Sequence, residues 1–228
     1  MDLAYTVRRS DRARRARIVV GVDGVEIVVP RGMPLRRVEP LVRERRAWIE
    51  RAVQRLDRSS VGVSRARLEH GGVVPLLGRE LGLRLAVDPD RKRPHVRRRG
   101  DVLHVRVGEA GTEPVRVAVE AWLRREARAR VRPALDEACA RAGHTSGPLT
   151  IRGQRTRWAS CSSSGAMSFN WRLMLAPEEI LLYVIEHEVA HLDVPDHSAR
   201  FWALLERRLP GYRQHERWLR RHGAALRL

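Results

Sequence analysis

The sequence predicts an α+β protein, β-rich at its N-terminal end and mostly helical after that. Three observations carry this reading. Apolar and polar residues alternate through "YTVRR", "ARIVVGVDGVEIVVP", "LGLRLAV" and "DVLHVRV" in the first hundred residues, the period of strands with one buried face. From Glu113 the period becomes helical and holds through "EPVRVAVEAWLRREARARVRPALDEACARAG". Further on, "APEEILLYVIEHEVAHLD" is apolar at Ile180, Leu181, Leu182, Val184, Ile185, Val189 and Ala190, which marks a buried helix. The change of character places a boundary between a β-rich region, 1–108, and a mostly helical domain, 109–228.

Taken in order, the first strands enclose Asp23-Gly24, a strong hairpin turn. "VEPLVRERRAWIERAVQRL" follows with Val38, Leu41, Val42, Trp48, Ile49, Val53 and Leu56 at helical spacing. "GGVVPLLGREL" (71–81) reads as short strands around a glycine turn, and "DPDRKRPHVRRRG" (88–100) as a charged loop. The long helix is expected to kink near Pro133 and to end at Gly143. "PLTIRGQ" is a strand, and "RTRWASCSSSGAMSFNWRLML" gives two strands joined by a turn at Ser162–Gly165. Pro177 suits the first position of the next helix, with Glu178 and Glu179 in its first turn. Pro195 stops that helix, Asp196 can cap "HSARFWALLERRL", and a last helix runs from about Tyr212 to His222.

The 228 residues contain no run near the roughly 18 apolar residues of a membrane span. The N-terminal segment lacks the apolar core and cleavage site of a signal peptide. Cys139 and Cys161 are too few for a disulfide framework. A cytoplasmic protein with no membrane partner is expected. The formal charge is +18, yet Lys92 is the single lysine among 45 basic residues, so GC-rich codon usage explains the arginines as readily as a polyanion does. Residues 1–108 hold 26 basic against 13 acidic residues, and residues 109–228 hold 19 against 14. Nucleic acid is therefore a candidate partner of the basic N-terminal half alone. The segment 172–200 is locally acidic.

That acidic segment contains "YVIEHEVAHLDVPDHSARFW", with His187, Glu188, His191 and His197. Burying imidazoles and a carboxylate in apolar chain costs desolvation, so they need partners. His187 and His191 lie four apart on a helix and share a face, within reach of one ion at the usual zinc–nitrogen distance of about 2.0–2.1 Å. Glu188 lies about 100° round the helix from His187. It stands beside such an ion as a general base for a metal-bound water, which is the physical content of H-E-x-x-H. The chain turns back at Pro195 and brings in His197 as a third ligand. Three histidines and a water leave the open tetrahedral zinc (Zn2+) site that hydrolysis needs.

These residues, with "LLGREL", "RWASCSSSGAMSFNWRLMLAP" and "PGYRQHERWL", resemble the YgjP-like zinc metallopeptidases, and more distantly the SprT-like proteins and the wider zincins. Ala159 and Asp196 stand where the family pattern has glycine and asparagine. The resemblance implies a zincin-like domain over 109–228, with zinc held by His187, His191 and His197 and Glu188 as the catalytic residue. It also implies a peptide or protein substrate. Two other readings remain at this stage: a metal-dependent phosphoanhydride (nucleotide) hydrolase, and a basic nucleic-acid-binding module. The hairpin before the active-site helix is either the edge strand that pairs with an extended peptide or an ordinary core hairpin. Cys161 is expected to be structural, and Trp158, Trp171, Phe201 and Trp202 to be core. His215 and Glu216 are expected on a solvated face, and the remaining histidines show no ligand spacing.

Overall fold

Val25, Ile27 and Val29 alternate along one strand and meet Val38, Val42 and Ile49 from one helix; none of the six is more than 5% exposed. Each such side chain contributes about 1.5–3 kcal/mol on burial. The computed structural model that shows this describes residues 4–21, 24–59, 65–154 and 156–228. The strands are β1 (Tyr5–Ser10), β2 (Arg17–Gly21) and β3 (Gly24–Pro30), in the order β1-β3-β2, with β1 parallel and β2 antiparallel to β3. Gly21 pairs with Gly24 as in a hairpin, while Asp23 of the expected turn lies outside the described residues. The helix is α1 (Val38–Ser59). Trp48 was expected on its apolar stripe but is 41% exposed, because it sits about 100° round from the buried Ile49. The side chain of Leu56 lies outside the described residues.

The chain forms two compact units. The first comprises 1–63 with 222–225, and the second 64–221 with 226–228. The division thus falls well before the 108/109 boundary that composition points to, and there is a physical reason. The long helix α2 (Thr112–Arg141) buries Val115, Val119, Trp122, Leu123, Val131 and Leu135, and it packs on strands from both sides of residue 108.

The second unit opens with β4 (Val73–Leu76), β5 (Arg79–Val87), β6 (His95–Arg99) and β7 (Val102–Val107), in the order β4-β5-β7-β6. Leu77 and Gly78 turn the β4–β5 hairpin with φ of +48° and +82°, the signature of a type I′ turn. β6 corrects the expectation of a loop over 88–100. "HVRRR" has one apolar residue, so periodicity cannot reveal it. It is a strand because it pairs antiparallel along β7.

α2 holds Pro133 within one continuous helical segment. It ends as expected at Gly143, which has φ of +76°. There His144 N–H reaches Cys139 O at 2.9 Å and Gly143 N–H reaches Ala140 O at 3.1 Å, a Schellman closure.

Next come β8 (Leu149–Arg152), β9 (Ala159–Cys161) and β10 (Met167–Asn170). They form a sheet ordered β8-β10-β9 in which β10 is parallel to β8 and antiparallel to β9. The strand expected to continue through "WRLML" is instead a 3₁₀ turn, Trp171–Leu175, because the Asn170 side chain accepts from Arg172 N–H and starts it. Leu77 N–H donates to Met174 O at 2.8 Å, fastening the β4–β5 hairpin to that turn.

Three helices complete the unit: α3 (Glu178–Ala190), α4 (Ala199–Arg208) and α5 (Tyr212–His222). Pro177 stands just before α3 with extended backbone, not inside it. Ser198, not Asp196, occupies the N-cap position of α4; Asp196 Oδ1 accepts from Ser198 N–H at 3.1 Å. Among the described residues, no helix is long and apolar enough to cross a membrane.

Candidate metal centre

α3 carries His187 in its last turn, and His191 is its C-cap. The chain then makes a turn through Asp193 and comes back past Pro195. Two sets of contacts set the path of that turn. Val194 is 5% exposed, its N–H returns to Ala190 O at 3.0 Å, and its carbonyl accepts from His191 Nδ1 at 3.1 Å. Asp193 accepts from His144 Nε2 at 3.0 Å and from Arg208 at 2.7 Å. Burial alone would raise the Asp193 carboxyl, but these two partners leave it below the usual carboxylate range.

The turn delivers His197 to the face that holds His187 and His191. One nitrogen from each of the three lies within 4.8 Å of the others, and the Nε2 atoms of His187 and His197 are 2.9 Å apart. The three ring centroids are 4.7–5.0 Å from one another. Beneath them lies Phe201 of α4, fully buried, with its ring centroid 4.9 Å from His187, 4.6 Å from His191 and 4.8 Å from His197. His197 is also stacked on Trp202 at 5.5 Å. Trp202 stacks in turn on Tyr212 at 5.5 Å, and Tyr212 on Tyr183 at 6.4 Å.

The electrostatics favour neutral imidazoles. Burial, helped by the neighbouring His191 and His197, pushes His187 down to about 3. Burial also lowers His191, against the hydrogen bond to Val194. Neutral nitrogens are the form in which histidine binds a metal. The hydrogen bond from His191 Nδ1 to Val194 orients that ring and leaves its Nε2 as the donor. His187 Nδ1 is buried without a hydrogen-bond partner among the described residues. Three nitrogen donors with no carboxylate among them suit zinc.

Glu188 lies about 100° round α3 from His187 and reaches β9. It is 6% exposed, and burial raises its carboxyl to about 7, opposed by a hydrogen bond from the Cys161 backbone amide. β9 is an edge strand of its sheet. Its partner strand is secured by the Ser160–Ser168 hydroxyl contact at 2.8 Å. Asn170 ties the 3₁₀ turn to the segment that precedes β9. Its amide donates to Gln154 O at 2.7 Å and Arg157 O at 3.1 Å, and its oxygen accepts from Arg172 N–H at 3.2 Å.

The structure therefore brings His187, His191 and His197 together and sets Glu188 beside them on the same helix. Of the expected core aromatics, Trp171 and Phe201 are fully buried, whereas Trp158 and Trp202 are half-buried. The expected solvated face at His215 and Glu216 is half-buried too, because His215 packs 6.2 Å from Tyr183. Sequence reasoning missed the role of Phe201 as the floor under all three imidazoles. Its place four residues after His197, one helical turn further on, was the available signal. It also missed Asn170, whose single letter says nothing of three backbone partners.

Residues 14–222 match the family described as YgjP-like, metallopeptidase domain; the chain belongs to that family and carries its metallopeptidase domain. The solved structure of a metallopeptidase zymogen, Pyrococcus abyssi abylysin, is similar over 40% of this chain and 92% of its own, at 26% identity and a TM-score of 0.36. No curated protein matches the chain.

Proposed function

We propose that this YgjP-like chain is a zinc-dependent peptidase in which His187, His191 and His197 hold the ion and Glu188 is the general base. The observation that carries the reading is the convergence of three histidine donors within 4.8 Å, the first of them, His187, followed on its helix by the buried carboxylate of Glu188. When bound, zinc supplies Lewis acidity that polarises the scissile carbonyl and makes water easier to deprotonate. Glu188 takes the proton of the attacking water and passes it to the leaving amine. A carboxyl raised to about 7 is matched to both halves of that transfer near neutral pH. The Cys161 amide orients Glu188, and Phe201 excludes water from beneath the imidazoles.

The unpaired edge of β9 offers a place for an extended peptide to add as a strand. The half-buried backbone of Ala159–Cys161 supports that mode of substrate binding over a purely structural hairpin. Two free cysteines, Cys139 and Cys161, are compatible with a reducing cytoplasmic setting.

The test is to load the protein with zinc and incubate it separately with a peptide library and with nucleoside triphosphates. Cleavage of peptide bonds, abolished by a chelator and restored by zinc, is expected. Turnover of triphosphates with no peptide cleaved would replace this reading with phosphoanhydride hydrolysis.

A further inference from the structure

We propose that the exposed face of the β4-β5-β7-β6 sheet docks on the phosphate backbone of a double-stranded nucleic acid. The register of the strands carries the argument. Arg84 of β5 faces His104 of β7, which faces Arg97 of β6. One row along, Ala86, Arg106 and His95 are in line; one row back, Gly82, Val102 and Arg99 are. Alternate residues share a face. Arg84, Arg97, Arg99, Arg106, His95 and His104 therefore line one side, while Leu81, Leu83, Leu103, Val105 and Val107 fill the buried other side.

All four arginines are exposed, and none forms an ion pair with a carboxylate among the described residues. Glu80 is the acidic residue that these strands place on the same face, opposite Pro75 and away from the arginine rows. The arginines of α2 are treated differently. Arg116 pairs with Glu113 and Glu120, Arg124 with Glu120, Arg132 with Asp136, and Arg141 with Glu137 and Glu186. With Arg130 on Glu178, five of the seven arginines of α2 are thus ion-paired, while Arg125 and Arg128 donate to backbone carbonyls. On the sheet face none of the four arginines has such a partner among the described residues.

The spacing suits phosphates. Alternate residues on a strand are about 6.6–6.8 Å apart and neighbouring strands about 4.8 Å. This spreads Arg97 and Arg99 along β6, and Arg84 and Arg97 across β7, as separate guanidinium forks. Each fork can take two oxygens of one phosphate. The face carries no tryptophan, tyrosine or phenylalanine, whereas single-strand binders stack bases on large aromatic platforms. It also lacks the tryptophan, phenylalanine or leucine that inserts into a bilayer. A duplex backbone, read without regard to sequence, fits what remains. The inference does not depend on the metal centre.

The experiment titrates the full chain with a fluorescent DNA duplex of about 20 base pairs over a salt series. A variant with Arg84→Gln, Arg97→Gln, Arg99→Gln and Arg106→Gln is compared with the wild type. It should bind at least tenfold more weakly near 0.1 M salt. Its log–log salt slope should be shallower by about 3–4, roughly 0.9 for each of four phosphates. Arginine-to-lysine changes at the same four positions should keep most of the binding, which also shows that the sheet tolerates substitution there. A control with equal charge loss, Arg12→Gln, Arg14→Gln, Arg15→Gln and Arg37→Gln, should bind nearly as the wild type does. Equal weakening in that control would mean that net charge alone drives binding and would overturn the proposal. So would wild-type binding no tighter than about 10⁻⁴ M, or a stronger response to anionic lipid vesicles than to duplex.

Discussion

The backbone amide of Cys161 donates to the carboxylate of Glu188, so the edge strand β9 and the helix α3 that carries His187 are joined at the proposed general base. An edge amide is otherwise available to a passing strand. Here one is taken by the Glu188 side chain.

Glu188→Gln keeps an oxygen to accept the Cys161 amide and keeps the shape of the side chain. Zinc content by elemental analysis should match the wild type, and peptide hydrolysis should fall by about 10²–10⁴-fold. Near-normal turnover of a verified substrate by this variant would remove Glu188 from the role of base.

Purified wild-type protein should carry about one zinc per chain after reconstitution. His187→Ala and His191→Ala should lose most of the metal, since both donors are fixed by α3 and its C-cap. His197→Ala should weaken binding less, because His197 is exposed and reaches the cluster from the turn. Metal analysis after gel filtration reads all three. Wild-type protein without metal after reconstitution would overturn the assignment of these ligands.

Much of this molecule is legible in its sequence, and the parts that are not share a cause. The strands with alternating residues and the long helix announce themselves because burial itself imposes the period. The convergence of the three histidines is legible because H-E-x-x-H is a local geometric statement, and Pro195 tells the chain to turn back. β6 is hidden because it is held by pairing with β7 and buries little. The 3₁₀ turn at Trp171–Leu175 is hidden because one side-chain oxygen on Asn170 decides it. The unit division escapes composition because α2 packs on elements from both sides of the compositional break. What is local can be read in the letters; what depends on a partner far along the chain cannot.

Asn170→Ala should destabilise the second unit without touching a ligand. Asn170 is 5% exposed and serves the carbonyls of Gln154 and Arg157 and the amide of Arg172. Truncation leaves those part-buried groups without their partner, at about 1–3 kcal/mol for each that water cannot reach. Asn170→Asp should be at least as damaging, because a carboxylate would face the two carbonyls that the amide now serves. Urea midpoints of the three proteins test this. An aspartate variant as stable as the wild type would show that the donor side of Asn170 is unimportant.

Phe201→Ala separates the floor of the metal centre from its walls. The ring is fully buried and within 5 Å of all three imidazoles, yet it offers no donor to a metal. Removing it should cost about 3–5 kcal/mol of stability, and it would also open space into which the imidazoles can turn. Phe201→Leu refills part of that volume, so its stability loss should be smaller. If Phe201 acts only as core, zinc affinity should be equal in Phe201→Leu and wild type once both are folded. If the flat ring holds the imidazoles in register, as the near-equal centroid distances indicate, the leucine variant should bind zinc measurably more weakly while remaining folded. Competition titration with a chromophoric chelator, run beside the urea melts, distinguishes these outcomes. Wild-type zinc affinity in a folded Phe201→Leu protein would reduce Phe201 to a packing residue.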